Sequence, residues 1–140
     1  VTGKAIGIYA DNTSTIAGFD NHVTKENAVV NNNASLSFGN DSIGMAVTTG
    51  DKGELLSTGV LNINGGAASG STGIYNTGTF TDNGKITLSG KSLGIYTEGT
   101  MTINAISGDS ISGSSDEITG IYSAGSGTTI NHGKIFMYPS

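Results

Sequence analysis

Asn83-Gly84-Lys85-Ile86-Thr87-Leu88-Ser89-Gly90-Lys91-Ser92-Leu93-Gly94-Ile95-Tyr96 aligns without a gap on Asn33-Ala34-Ser35-Leu36-Ser37-Phe38-Gly39-Asn40-Asp41-Ser42-Ile43-Gly44-Met45-Ala46, at a constant offset of 50. Apolar and small residues alternate in these copies, as in Ile86-Thr87-Leu88 and Leu93-Gly94-Ile95. Successive side chains of a strand point to opposite faces, so period two marks strands with one buried face. Gly, Asn and Ser separate the runs, as turns require. The repeated unit is therefore built of short strands.

The pattern extends through the chain. Gly78-Thr79-Phe80-Thr81 through Ile86 matches Gly127-Thr128-Thr129-Ile130 through Ile135 at an offset of 49, and Gly3 to Tyr9 matches Gly90 to Tyr96 at an offset of 87. The phrase Gly-Ile-Tyr recurs at Gly7, Gly73, Gly94 and Gly120, with a diverged copy, Gly44-Met45-Ala46. The spacings between these glycines are 37, 29, 21 and 26 residues, so the shortest shows the bare unit and the longer ones carry insertions. Since the chain begins inside a repeat, we expect a fragment of something longer.

Strands of three to five residues are not stable alone. They bury their inward faces when successive coils stack, each on the one before. The expected fold is all-β: a right-handed parallel β-helix (β-solenoid) of about five coils with three short strands per coil, forming one segment over 1–140. Equivalent residues would stack at about 4.8 Å, giving a rod about 25 Å tall. One inward ladder would comprise Ile8, Met45, Ile74, Ile95 and Ile121, and another Leu36, Ile86 and Ile135. Loop insertions are expected at 19–33, 65–71 and 104–117. Asn33, Asn83 and His132 occupy equivalent turns.

Composition bounds the function. Charged residues make up 12 % of the chain, about half the usual share of roughly 25 %. The net charge is −5 and all six basic residues are lysines. With no arginine and no basic patch, nucleic acid is not an expected partner. The absence of cysteine excludes disulfides and thiolate metal sites.

Chemistry-bearing patterns are sparse. His22 and His132 are the only histidines, and neither they nor the acids show metal-ligand spacing, so no metal or cofactor is expected. The acids sit singly near turns, apart from Asp116-Glu117, where glycan cleavage needs paired carboxylates. No Gly-x-Ser-x-Gly elbow precedes a helix. The chain is not expected to be an enzyme. Binding residues concentrate on loops carried by rigid scaffolds, which singles out His22, Asn31, Asn32, Asp116 and Glu117 as ligand-binding candidates. Tyr75, Tyr96 and Tyr122 join them: if Ile95 points inward, Tyr96 points outward, and Tyr9, Tyr75, Tyr96 and Tyr122 form one outer column interrupted by Ala46. Such a column either contacts a partner or stacks on itself to support the coils.

Gly84-Lys85-Ile86-Thr87-Leu88 followed by Ser92-Leu93-Gly94-Ile95-Tyr96 resembles the passengers of the very large autotransporter adhesins of fusobacteria. The likeness covers nearly the whole chain and is poorest over 19–33 and 104–117. It implies type V secretion, an outer-membrane anchor outside this chain, and a place on the bacterial cell surface or in the secreted fraction. The partners it implies are proteins or glycans of host cells or other bacteria. It assigns no ligand residue to any position here. Two other readings share the fold. One is a polysaccharide-degrading enzyme or phage tailspike segment. The other is a structural filament, since Val1 and Met137 both align with Leu88, a phase that permits head-to-tail association.

Overall fold

The computed structural model describes residues 5–10, 29–32, 35–39, 41–66, 70–115 and 117–138. Every regular element among them is a strand, and the strands fall in threes along the chain. The first coil contributes β1 (Ala5–Ala10), β2 (Val29–Asn32) and β3 (Ser35–Phe38). The second holds β4 (Ser42–Val47), β5 (Lys52–Leu55) and β6 (Val60–Gly65), and the third β7 (Ser71–Asn76), β8 (Thr79–Asp82) and β9 (Lys85–Gly90). The fourth has β10 (Ser92–Thr97), β11 (Thr100–Ile103) and β12 (Ile111–Ser114), and the fifth β13 (Ile118–Ser123), β14 (Thr128–Asn131) and β15 (Ile135–Tyr138).

Each strand pairs in parallel with its counterparts in adjacent coils, giving three five-stranded sheets. The first sheet runs β1-β4-β7-β10-β13, the second β2-β5-β8-β11-β14 and the third β3-β6-β9-β12-β15. The fold is the expected parallel β-solenoid with three strands per coil.

The register reproduces both expected ladders. Ile8 pairs with Met45, Met45 with Ile74, Ile74 with Ile95 and Ile95 with Ile121. Leu36, Leu61, Ile86, Ile111 and Ile135 stack in the third sheet, so the second ladder gains Leu61 and Ile111. Met45, Leu61, Ile74, Ile86, Ile95 and Ile111 are fully buried. Each such side chain contributes about 1.5–3 kcal/mol through burial. In the second sheet Phe80 lies over Gly53, where a Cβ would meet the ring at 2.7 Å.

The alternation in Leu93-Gly94-Ile95 needs correction. Ser92 is buried, Leu93 half-buried, and then Gly94 and Ile95 are both buried before Tyr96 turns outward again. The phase switches at the glycine, so Leu93 and Ile95 do not share a face. Gly44, Gly73, Gly94 and Gly120 stack so closely that a Cβ on Gly73 or Gly94 would lie 2.6 or 2.5 Å from the carbonyl oxygen of the glycine in the next coil. This close approach explains the glycine of the repeated phrase.

Strands run into all three expected insertions. Ile111–Ser114, inside the 104–117 stretch, is strand β12, paired with both β9 and β15. Its pattern is hard to read because Gly113 stands where Leu88 and Met137 stand in neighbouring coils. The Ile118 side chain fills the space that a Gly113 Cβ would enter. Gly65 and Ser71, the ends of the 65–71 stretch, belong to β6 and β7. Of the 19–33 insertion, 29–32 is strand β2 and the remainder lies outside the described residues.

Polar residues at the corners are tied between coils. Asn76 is fully buried; its Nδ2 donates to Thr97 Oγ1 at 3.1 Å and to the Thr100 carbonyl at 3.0 Å, while its Oδ1 accepts from Gly78 N–H at 3.0 Å. Asn83, Asn104 and His132 occupy equivalent turns, their N–H groups donating to the carbonyls of Leu55, Asp82 and Ile103. Asn104 thus belongs to the turn series, and its Nδ2 donates to Asn83 Oδ1 at 2.7 Å. Asn33 lies outside the described residues.

Candidate interaction surface on the first sheet

The phase switch at the glycine sets two outward columns side by side on the first sheet. Ile6, Ile43, Thr72, Leu93 and Thr119 form one, and Tyr9, Ala46, Tyr75, Tyr96 and Tyr122 the other. Both recur because the repeat does, and the rigid inward ladder fixes their spacing. Ile6, Tyr9, Tyr75 and Tyr122 are exposed. In the second and third coils the outer residues of the other two sheets are mainly polar, with Glu54, Thr79 and Thr81 on one and Asn62 and Thr87 on the other.

The tyrosine rings are stacked. Tyr75 and Tyr96 have centroids 5.1 Å apart and planes 6° apart; for Tyr96 and Tyr122 the values are 5.6 Å and 10°. Rings packed face to face spend those faces on each other and leave their edges for a partner. The Tyr96 hydroxyl donates to the Glu98 carboxylate. That bond holds the phenolic proton, and with some desolvation and the Glu98 charge it pushes Tyr96 up to about 12.

Beside the rings a shallow groove of about 340 Å³ is lined by Thr72, Lys91, Leu93, Glu117 and Thr119, with Gly70, Ser71 and Ser92. The backbones of Lys91 and Glu117 complete the corner: Ser71 N–H donates to the Lys91 carbonyl at 3.1 Å and Ser92 N–H to the Glu117 carbonyl at 3.2 Å. Their side chains supply opposite charges at the rim, around Thr hydroxyls and the aliphatic Leu93. The groove can accept hydrogen bonds, donate them and cover a small apolar patch.

Of the expected site residues, Tyr75, Tyr96, Tyr122 and Glu117 come together here. Asn32 does not join them: it is 4 % exposed, in the inward column with Leu55, and its carbonyl accepts from Leu56 N–H at 2.8 Å. A residue buried in the stack cannot meet a ligand. Asn31 pairs in register with Glu54 on the second sheet, away from the groove. His22 and Asp116 lie outside the described residues. Lys91, Leu93, Thr72 and Thr119 complete the groove but were not singled out by the sequence, whose alternation set Leu93 on the face of Ile95.

The acids are not all at the surface. Asp51 and Asp82 sit near turns but are each 1 % exposed. Among the described residues no three His, Asp or Glu side chains gather in a way that would hold a metal ion. No protein-family model, curated protein or solved structure matches the chain.

Proposed function

We propose that the chain is a rod segment of a bacterial surface adhesin of the autotransporter kind, and that the outer face of its first sheet is the contact surface. The observation that carries this reading is the uneven distribution of outward side chains. The inward ladders account for the stability of the coils, so they do not explain why the first sheet repeats outward aromatic residues from coil to coil, whereas the exposed Ile130, Phe136 and Tyr138 of the other two sheets all belong to the fifth coil. An exposed patch of that kind, rimmed by polar groups, is characteristic of an interaction site. The partner is a protein or glycan of a host-cell or bacterial surface. Nucleic acid is disfavoured by the charge of −5. In this reading the chain is held at the outer membrane through parts outside it and performs no catalysis.

The test is binding of the purified chain to a glycan array and to intact human and bacterial cells, with an unrelated β-solenoid of similar charge as control. A variant carrying Tyr75→Ser, Tyr96→Ser and Tyr122→Ser, checked for folding by circular dichroism, is run beside it. Saturable binding that the triple variant loses supports the proposal. Saturable binding that it retains moves the contact to another face. Binding no stronger than the control's would leave the segment a spacer and overturn its adhesive role.

A further inference from the structure

Asp82 is an ionisable residue set between two apolar side chains of its column. The second sheet stacks Asn32, Leu55, Asp82, Ile103 and Asn131 in register. Leu55 and Ile103, directly on either side of Asp82, are fully buried, and Asp82 is 1 % exposed. Its Oδ1 accepts from Gly84 N–H at 2.9 Å, closing the turn into β9. Its Oδ2 is buried without a hydrogen-bond partner.

Among the described residues no opposite charge meets this carboxyl. Of the strands around it, β2, β11 and β14 contain no ionisable residue. On β5, Lys52 is exposed, and Glu54 lies in the neighbouring outward column, where it accepts from Asn83 Nδ2 at 2.7 Å. On β9, Lys85 is exposed. Asp51, at the turn before β5, accepts from Thr48 Oγ1 at 2.7 Å. His132, at the equivalent turn two coils on, is exposed.

We infer that Asp82 makes the solenoid acid-strengthened: protonated, it is a neutral turn residue matched to its column, and ionised, it is an uncompensated charge between two coils that loosens the third coil's corner. Burial pushes Asp82 up to about 7, and the Gly84 N–H offsets only part of that rise. The unfolded chain gives up the same proton near 3.8. Stability from this residue is therefore full below about pH 4, falls between about 4 and 7, and is level above that.

The experiment is urea unfolding of the full chain and of its Asp82→Asn variant at pH 5 and pH 8. Asn keeps the turn bond, since Asn131 holds Gly133 N–H through Oδ1 at the same 2.9 Å. From pH 5 to pH 8 the folding equilibrium constant of the unaltered chain should fall about a hundredfold further than that of the variant. Equal pH dependence in the two chains, within threefold, would overturn the inference. A carbon-13 titration of the Asp82 carboxyl in the unaltered chain decides independently, even if the variant does not fold. A midpoint near 7 supports the inference, and one near 4 rejects it.

Discussion

The fourth and fifth coils carry the same phrase, Gly94-Ile95-Tyr96 and Gly120-Ile121-Tyr122, yet the phrase is packed differently in each. Strand β10 lies between β7 and β13, and Ile95 is fully buried. Strand β13 pairs only with β10 among the described residues, and Ile121 is half-buried while Tyr122 is 54 % exposed. The residues are equivalent, and what differs is the neighbouring coil. A repeat of this kind does not carry its own stability; each coil draws it from the interface with the next.

The sharpest way to break that comparison is to put the same charge into both coils. Ile95→Asp places a carboxylate in the inward column with no turn N–H to receive it, and should abolish the cooperative fold, a loss above about 4 kcal/mol. Ile121→Asp can reach water and should cost about 1–3 kcal/mol. Urea unfolding followed by circular dichroism measures both. Similar losses would mean that the fifth coil is packed as tightly as the fourth.

The glycines give a smaller contrast. A methyl on Gly94 would press on the Gly120 carbonyl oxygen, a backbone atom held by the stack. A methyl on Gly120 would meet side chains only, the Met137 Cε, the end of a flexible chain, at 2.9 Å and the Ile135 Cγ2 at 3.1 Å. Gly94→Ala should therefore cost about 1–3 kcal/mol, and Gly120→Ala less than about 1 kcal/mol because Met137 can move. Equal costs in thermal melts would show that the glycine serves the turn of the strand and not the approach of the coils.

The same neighbour effect separates what the sequence showed from what it hid. The ladders through Ile95 and Ile86 were legible because each position holds a large apolar residue at the same place in the repeated phrase, whatever the spacing between copies. Tyr96 followed as the outward neighbour of an inward residue. The switch of phase at Gly94 was not legible, because a glycine reads equally well as an inward or an outward position, and Leu93 was set on the wrong face with it. Strand β12 was hidden because Gly113 replaces the second apolar residue and a side chain from the next strand fills the gap. Asp82 before Asn83-Gly84 has the composition of a surface turn, and only the stack shows it enclosed. The groove was likewise beyond reach, since Lys91 and Glu117 meet only when successive corners are superposed.

The tyrosine ladder supplies a third contrast. Tyr96 stacks on both Tyr75 and Tyr122, whereas Tyr122 stacks on Tyr96. Each stacked pair contributes about 0.5–1.5 kcal/mol beyond burial. Tyr96→Ala should therefore destabilise more than Tyr122→Ala, and a double-mutant cycle on the two should return a coupling in that range. Zero coupling would leave the rings without a structural share and strengthen their assignment to binding.

The smallest expected effect isolates burial from geometry. Asn131 occupies the column of Asp82 two coils away and holds Gly133 N–H as Asp82 holds Gly84, but it is exposed. An aspartate there keeps the turn and gains water around its carboxylate. Asn131→Asp should thus change stability by no more than about 0.5 kcal/mol. Its folding equilibrium between pH 5 and pH 8 should follow that of the unaltered chain within about threefold, as a solvated carboxylate titrates below that window. If Asn131→Asp instead added a loss comparable to that expected for Asp82, the turn itself would be hostile to a charge, and enclosure between Leu55 and Ile103 would not be the cause.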